Sequence, residues 1–184
     1  AQAAHTLAAR QGLSAHHIDT LCATPVDGDA PQAAAGNAPV LLVYTSGTSG
    51  APKGAVHTQH NLLANMAIAG EYTAQAATDL IATVLPLFHV GGLCIQTLPA
   101  LYAGAQVILH PRFDAAAWLQ CVAQDRPTTS LLVPAAMKAV VEHPQWHSTN
   151  LSSLRSVWAG SSLLPAALVS AFHARGVPVC NVYG

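Results

Sequence analysis

From Val40 onward, apolar runs of four to six residues alternate with longer stretches in which apolar positions recur every three or four residues. Short runs bounded by turn residues indicate buried strands, and the 3.6-residue recurrence indicates helices lying on them. The pattern predicts strands over 40–44, 55–57, 80–85, 106–109, 129–133, 156–159 and 179–182. Between them it predicts helices over 59–72, 92–102, 115–124, 134–142 and 165–174. Local signals sharpen several boundaries. Thr58 and Asp114 are N-cap residues whose side-chain oxygens can accept from the first helical turn. Trp118, Leu119 and Val122 share one side of the helix that Asp114 opens. Pro134 and Pro165 suit a first helical turn, Pro165 as N1, and Gly176 suits a helix stop. Ahead of this order, 6–22 reads as weakly helical or mixed. Residues 27–39, with Gly28, Pro31, Gly36 and Pro39 among alanines, read as a loop or linker.

Strands alternating with helices of about ten residues predict an α/β fold, a mainly parallel sheet flanked by helices, with ligands at the carboxyl ends of the strands. Four segments rich in polar or small residues follow predicted strands, which places them along one edge of one sheet. They are the loop after 40–44, Phe88-His89, Gly160-Ser161-Ser162 and Tyr183-Gly184. With 184 residues and 52% apolar composition, one core or part of one is expected. Only 8% of the residues are charged, against about a quarter in a typical domain, so apolar surface is expected to be covered by further protein in a longer parent. The opening at Ala1 and the stop at Gly184 point the same way, to a fragment.

The formal charge of −1 provides no basic footprint for nucleic acid or an anionic membrane. Residues 81–111 are nearly free of charge but are broken by prolines and glycines, which argues against a membrane span. Ala1 to Leu21 lacks the layout of a signal peptide. Cys22, Cys94, Cys121 and Cys180 are far apart, as buried free thiols in a reducing cytosol would be. The histidine pairs His16/His17, His57/His60 and His143/His147 have no acidic or cysteine companions, so a structural zinc is not expected.

The most informative segment is Tyr44-Thr45-Ser46-Gly47-Thr48-Ser49-Gly50-Ala51-Pro52-Lys53-Gly54. Glycines let backbone N–H groups approach an anion, hydroxyls add donors and Lys53 adds a mobile positive charge, which together suit a polyphosphate. It is not a Walker loop, because Lys53 is followed by a short strand, and it has no Gly-x-Gly of a dinucleotide fold. The segment closely resembles the signature of the adenylate-forming superfamily, which includes acyl-CoA synthetases, adenylation domains of peptide synthetases and firefly-type luciferases. Ser49 stands where threonine is usual. Pro86-Leu87-Phe88-His89-Val90-Gly91-Gly92-Leu93 resembles the second core motif of that family, and Asn181-Val182-Tyr183-Gly184 resembles the start of its adenine motif. Trp158-Ala159-Gly160-Ser161-Ser162-Leu163-Leu164-Pro165 is similar to a Gly-Gly-Ala-Pro-Leu loop, with Ser161, Ser162 and Leu163 replacing Gly, Ala and Pro.

The resemblance implies an unassigned segment and linker over 1–39 and a partial AMP-binding domain over 40–184. The remainder of that domain and a mobile C-terminal domain would lie in the missing parent sequence. It also implies cytoplasmic activation of a small-molecule carboxylic acid by ATP and Mg²⁺, with transfer to coenzyme A as co-substrate. Thr45, Ser46, Gly47, Thr48, Ser49 and Gly50 would hold the β- and γ-phosphates, assisted by Lys53, and His89 would stand near the acyl carboxylate and α-phosphate. Gly160, Ser161, Ser162, Asn181, Tyr183 and Gly184 would contact the nucleotide. Thr45 is a candidate hydroxyl contact for the metal, whose main acidic ligand would follow Gly184. Two alternatives stay open: an adenylation domain that loads an amino or aryl acid onto a carrier-protein thiol, and a catalytically inactive nucleotide-binding fragment.

Overall fold

In the computed structural model, which describes residues 2–12, 14–15, 20, 23, 35–45, 51–160 and 162–182, the chain divides into two compact units, 1–34 and 35–184. Within the first unit, helix α1 spans Gln2–Arg10. The second unit is built on a five-stranded parallel sheet. Its strands are β3 (Leu80–Thr83), β4 (Gln106–Leu109), β5 (Thr129–Leu132), β6 (Ser156–Ala159) and β7 (Val179–Asn181), in the order β4-β3-β5-β6-β7. Every residue of the central strand β5 is buried, as expected of a parallel strand covered on both faces. Its register is fixed by pairs such as Ile81↔Thr129 on one side and Leu131↔Trp158 on the other.

Helices α4 (Ala115–Gln124), α5 (Pro134–Val141) and α6 (Ala166–His173) cover one face of the sheet. Trp118, Val122, Met137, Val140 and Phe172 pack there against Val84, just beyond β3, and against Leu132, Val157 and Ala159 on one face of β5 and β6. The indole N–H of Trp118 donates to Ser130 Oγ at 3.1 Å, and Ser130 donates to the Ala82 carbonyl at 2.7 Å, so no polar group of this pair is stranded in the core. Trp146 meets Phe172 edge-on at 4.9 Å, and Arg175 lies over the Trp146 ring while donating to the carbonyls of Trp146 and Thr149. A smaller cluster of Ile81, Ala100, Ala105 and Val107 lies on the opposite face.

That opposite face carries α2 (Gln59–Thr73) and α3, a continuous helix over 90–102. Thr58 and Asn61 form the reciprocal cap that opens α2, and Asp114 accepts from the Ala117 N–H at 2.8 Å to open α4. Pro165 stands at the N-cap of α6 rather than at N1, with ψ of 131°, and Gly176 takes the left-handed φ of +73° that ends the following turn. The middle of α3 departs from the expected regular helix. Leu93–Thr97 is a π-helical segment in which the Leu98 N–H reaches back to the Leu93 carbonyl.

The strand expected over 40–44 is not a buried member of the main sheet. As β1 (Pro39–Thr45) it pairs antiparallel with β2 (Lys53–Thr58) in a separate two-stranded sheet, and Leu42 and Tyr44 are 49% and 69% exposed. Chain length accounts for the antiparallel pairing. Residues 46–52 are too few for the crossover of about a dozen residues that a parallel return requires, so the chain can only fold back on itself. The glycine-rich segment therefore joins the two strands of a hairpin and does not follow a strand of the main sheet.

Candidate functional site

The carboxyl ends of β5, β6 and β7 open into a cavity of about 580 Å³, which α2 and the first half of α3 wall on the other side. Leu131, Val133, Trp158 and Val182 contribute from the sheet and its exits, and Ile68, Tyr72 and Ile95 contribute from the helices. No Asp, Glu, Lys or Arg is among the described lining residues. Such a space, mostly apolar with a few polar groups, suits a drug-sized organic ligand.

His89 lines this cavity and is the N-cap of α3, its Nδ1 accepting from the Gly91 N–H at 3.0 Å. With Nδ1 an acceptor, a neutral ring carries its proton on Nε2, for which no acceptor is found among the described residues. The close turn before it depends on Gly92, where a Cβ would lie 2.3 Å from the Pro86 carbonyl oxygen. A comparable constraint holds at Gly160, where a Cβ would lie 2.9 Å from the Val182 carbonyl oxygen. These two glycines let the loops beyond β3, β6 and β7 converge.

Of the residues expected from sequence, His89, Gly160 and Asn181 are brought together in the cavity wall, whereas Ser162 is exposed and does not line it. Thr45 and Lys53 are register partners at the loop end of the hairpin, with the Thr45 hydroxyl donating to the Lys53 carbonyl at 3.4 Å, and neither lines the cavity. Ser46, Gly47, Thr48, Ser49, Gly50, Ser161, Tyr183 and Gly184 lie outside the described residues, as do Cys22, His16 and His17. Among the described residues no group of three or more His, Cys, Asp or Glu gathers at one point. With no carboxylate in the described wall either, the described residues do not by themselves make a Mg²⁺ site.

The cysteines are less uniformly buried than expected: Cys121 is buried, but Cys94 and Cys180 are half-buried, and all three are free thiols. Burial raises the thiol pKa of Cys94, which lines the cavity. Burial, reinforced by Asp125, pushes Cys121 up to about 11. Neither is poised as a nucleophile.

Sequence reasoning did not single out the contribution of α2. Asn65, Ile68, Ala69, Tyr72 and Thr73 all line the cavity, and their spacing of three and four residues puts them on one helical face. That spacing was the available signal. Ile95 and Trp158 were also not singled out, because an apolar residue on a cavity wall is indistinguishable in sequence from one in the core.

The pattern of the AMP-binding enzyme family matches residues 3–184. An indoleacetate–CoA ligase of Aromatoleum aromaticum is 48% identical over 79% of this chain, and a feruloyl-CoA synthase of an Amycolatopsis species is 41% identical over 78%. The chain spans 29% of the length of each. A malonyl-CoA ligase solved as a ternary product complex with methylmalonyl-CoA and AMP superposes with a TM-score of 0.77 at 30% identity, over 85% of this chain and 35% of that one. With its parallel sheet and a cavity at the strand ends, this chain belongs to the AMP-binding enzyme family, in the part of the fold shared with acid–CoA ligases.

Proposed function

We propose that the full-length protein containing this chain is an AMP-forming acid–CoA ligase acting on a carboxylic acid with an uncharged, largely apolar tail. In the first half-reaction a carboxylate oxygen attacks the α-phosphorus of ATP, the bond to the β-phosphate oxygen breaks, and pyrophosphate leaves. In the second the coenzyme A thiol loses its proton and attacks the acyl carbonyl, and AMP departs with the electron pair of the broken C–O bond. On this reading the hairpin loop from Thr45 to Gly50, with Lys53, neutralises the leaving pyrophosphate. His89 donates from Nε2 toward the carboxylate or α-phosphate oxygens, where negative charge accumulates. Gly160 and Asn181, with the neighbouring Ser161, Ser162, Tyr183 and Gly184, take the nucleotide. The reaction needs Mg²⁺ to shield the triphosphate; Thr45 would offer it a hydroxyl contact, and its acidic ligand would come from the full-length protein. Free thiols at Cys94, Cys121 and Cys180 suit a cytoplasmic enzyme.

The observation that carries the acid class is the composition of the described cavity wall: mostly hydrophobic side chains and, among the described lining residues, no Lys or Arg to hold a second carboxylate or a sulfonate. The CoA ligases at 48% and 41% identity favour coenzyme A over a carrier-protein thiol as acceptor. The test is acid-dependent ATP–pyrophosphate exchange by the full-length protein. Exchange is expected with arylacetic, cinnamic-type and medium-chain acids and not with malonate or sulfoacetate. A preference for the doubly charged acids would overturn the acid class, and no exchange with any acid would overturn the ligase reading.

A further inference from the structure

Helix α3 contains a proline beyond its first turn, and its consequence falls on the cavity. Pro99 has no N–H, so the carbonyl five residues before it, that of Cys94, receives no bond from that position. The next donor back, the Leu98 N–H, is directed to the Leu93 carbonyl by the π-turn. The Cys94 carbonyl is thereby left without a partner from its own helix, at a residue that lines the cavity. The donor comes from another helix: Asn65 Nδ2 on α2 reaches the Cys94 carbonyl oxygen at 2.8 Å.

We infer that Asn65 is a positioning residue that ties α2 to the π-turn of α3 and so sets where Ile95 stands in the wall facing the acid. The functional part of this inference rests on the acid–CoA ligase reading. A π-turn fits one more residue into the turn than an α-turn, and so changes which side chains face the cavity at a given height along the helix. An α-helical turn at the same place would rotate Cys94 and Ile95 relative to His89 at the helix start. The π-turn is therefore a specificity feature as well as a local irregularity. Thr97 supports it from the sheet side, donating its hydroxyl to the Gly92 carbonyl at 2.6 Å and lying 3.1 Å from the Thr83 hydroxyl. Asn65 is the exposed, cavity-side half of the same arrangement.

The test is a double-substitution cycle with Asn65→Ala and Pro99→Ala, alone and together, read in two ways. Pro99→Ala supplies the missing N–H and allows the helix to satisfy the carbonyl itself. In the full-length protein, Asn65→Ala is expected to raise the KM for the acid roughly fivefold, the worth of one hydrogen bond, while the KM for ATP stays within about twofold. In the Pro99→Ala background the same change should alter the acid KM by less than about twofold, because the bond is no longer needed. Asn65→Asp, which keeps the size but has no donor, should behave like Asn65→Ala. In the 184-residue chain, Asn65→Ala should lower the melting temperature by about 2–4 °C with Pro99 present and by less than about 1 °C in the Pro99→Ala background. Equal effects in the two backgrounds, or an unchanged acid KM in an active Asn65→Ala enzyme, would overturn the inference. A full-length wild type without ligase activity would instead refute the ligase reading, and the melting cycle alone would then decide the tie between the helices.

Discussion

Lys53 is exposed at the first position of β2, opposite Thr45, so its ammonium is carried on a paired and therefore well-placed backbone beside the glycine-rich loop. If it neutralises the leaving pyrophosphate, Lys53→Ala in the full-length protein should slow adenylation by about tenfold or more, yet leave AMP affinity nearly unchanged, because AMP has no β- or γ-phosphate. Equal losses in both measurements would remove that role. His89 needs a finer experiment, because the structure shows it as a helix cap as well as a cavity residue. His89→Ala should lose turnover and also about 1 kcal/mol of stability through the uncapped Gly91 N–H. His89→Asn keeps a capping acceptor and removes the imidazole. It should melt close to wild type while turnover still falls, and normal turnover in a stable His89→Asn enzyme would mark the histidine as purely structural.

At the scale of elements, the sheet is held at both ends by different means. At the carboxyl ends of the strands, Gly92 and Gly160 permit close backbone packing around the cavity. At the amino ends, Asp79 gathers the segments that enter β3, β5 and β6. It accepts from the Ala76 N–H at 2.9 Å, from the Thr128 hydroxyl at 2.8 Å and from Arg155 at 3.2 Å. Burial by itself would raise the pKa of this 4%-exposed carboxyl, but the Ala76, Thr128 and Arg155 contacts outweigh it and leave it below the ordinary 3.8. A folded-state pKa below the unfolded one means stability that is present above pH 3.8 and lost as pH falls through the folded value. Asp79→Asn should therefore destabilise the chain by about 1–3 kcal/mol at neutral pH. It should also flatten the loss of stability on acidification below about pH 4, measured by denaturant unfolding across pH. An unchanged acid limb would show that other carboxylates govern it.

For the whole molecule, the cavity is a partial enclosure: its described walls carry no carboxylate for a metal and no cation for a phosphate, while the chain spans 29% of the length of its CoA-ligase relatives. The 184-residue chain alone is expected to fold, with a cooperative melt, and to show no acid-dependent pyrophosphate exchange under conditions where the full-length protein does. Robust exchange by the short chain would mean that the groups placed in the remaining sequence are not needed.

What the sequence determined by itself was local order and chemistry. Strands Gln106–Leu109 and Ser156–Ala159 and helix Ala115–Gln124 coincide with the spans expected from pattern alone, because an apolar run or an Asp114 cap acts within a few residues of itself. The family was legible for the same reason, since its loops are contiguous strings of residue types. Partnership was left to the tertiary structure. A run such as 40–44 reads as buried whether it joins a covered sheet or an open hairpin, and only its pairing with β2 decided that it is the latter. That the Cys94 carbonyl at the π-turn is met by Asn65, 29 residues before it in the chain, was likewise decided only by packing between helices. The helical side of the cavity appeared only when α2 was laid across the strand ends, because a helical face announces that it meets something apolar, but what it meets is decided by packing between segments distant in sequence.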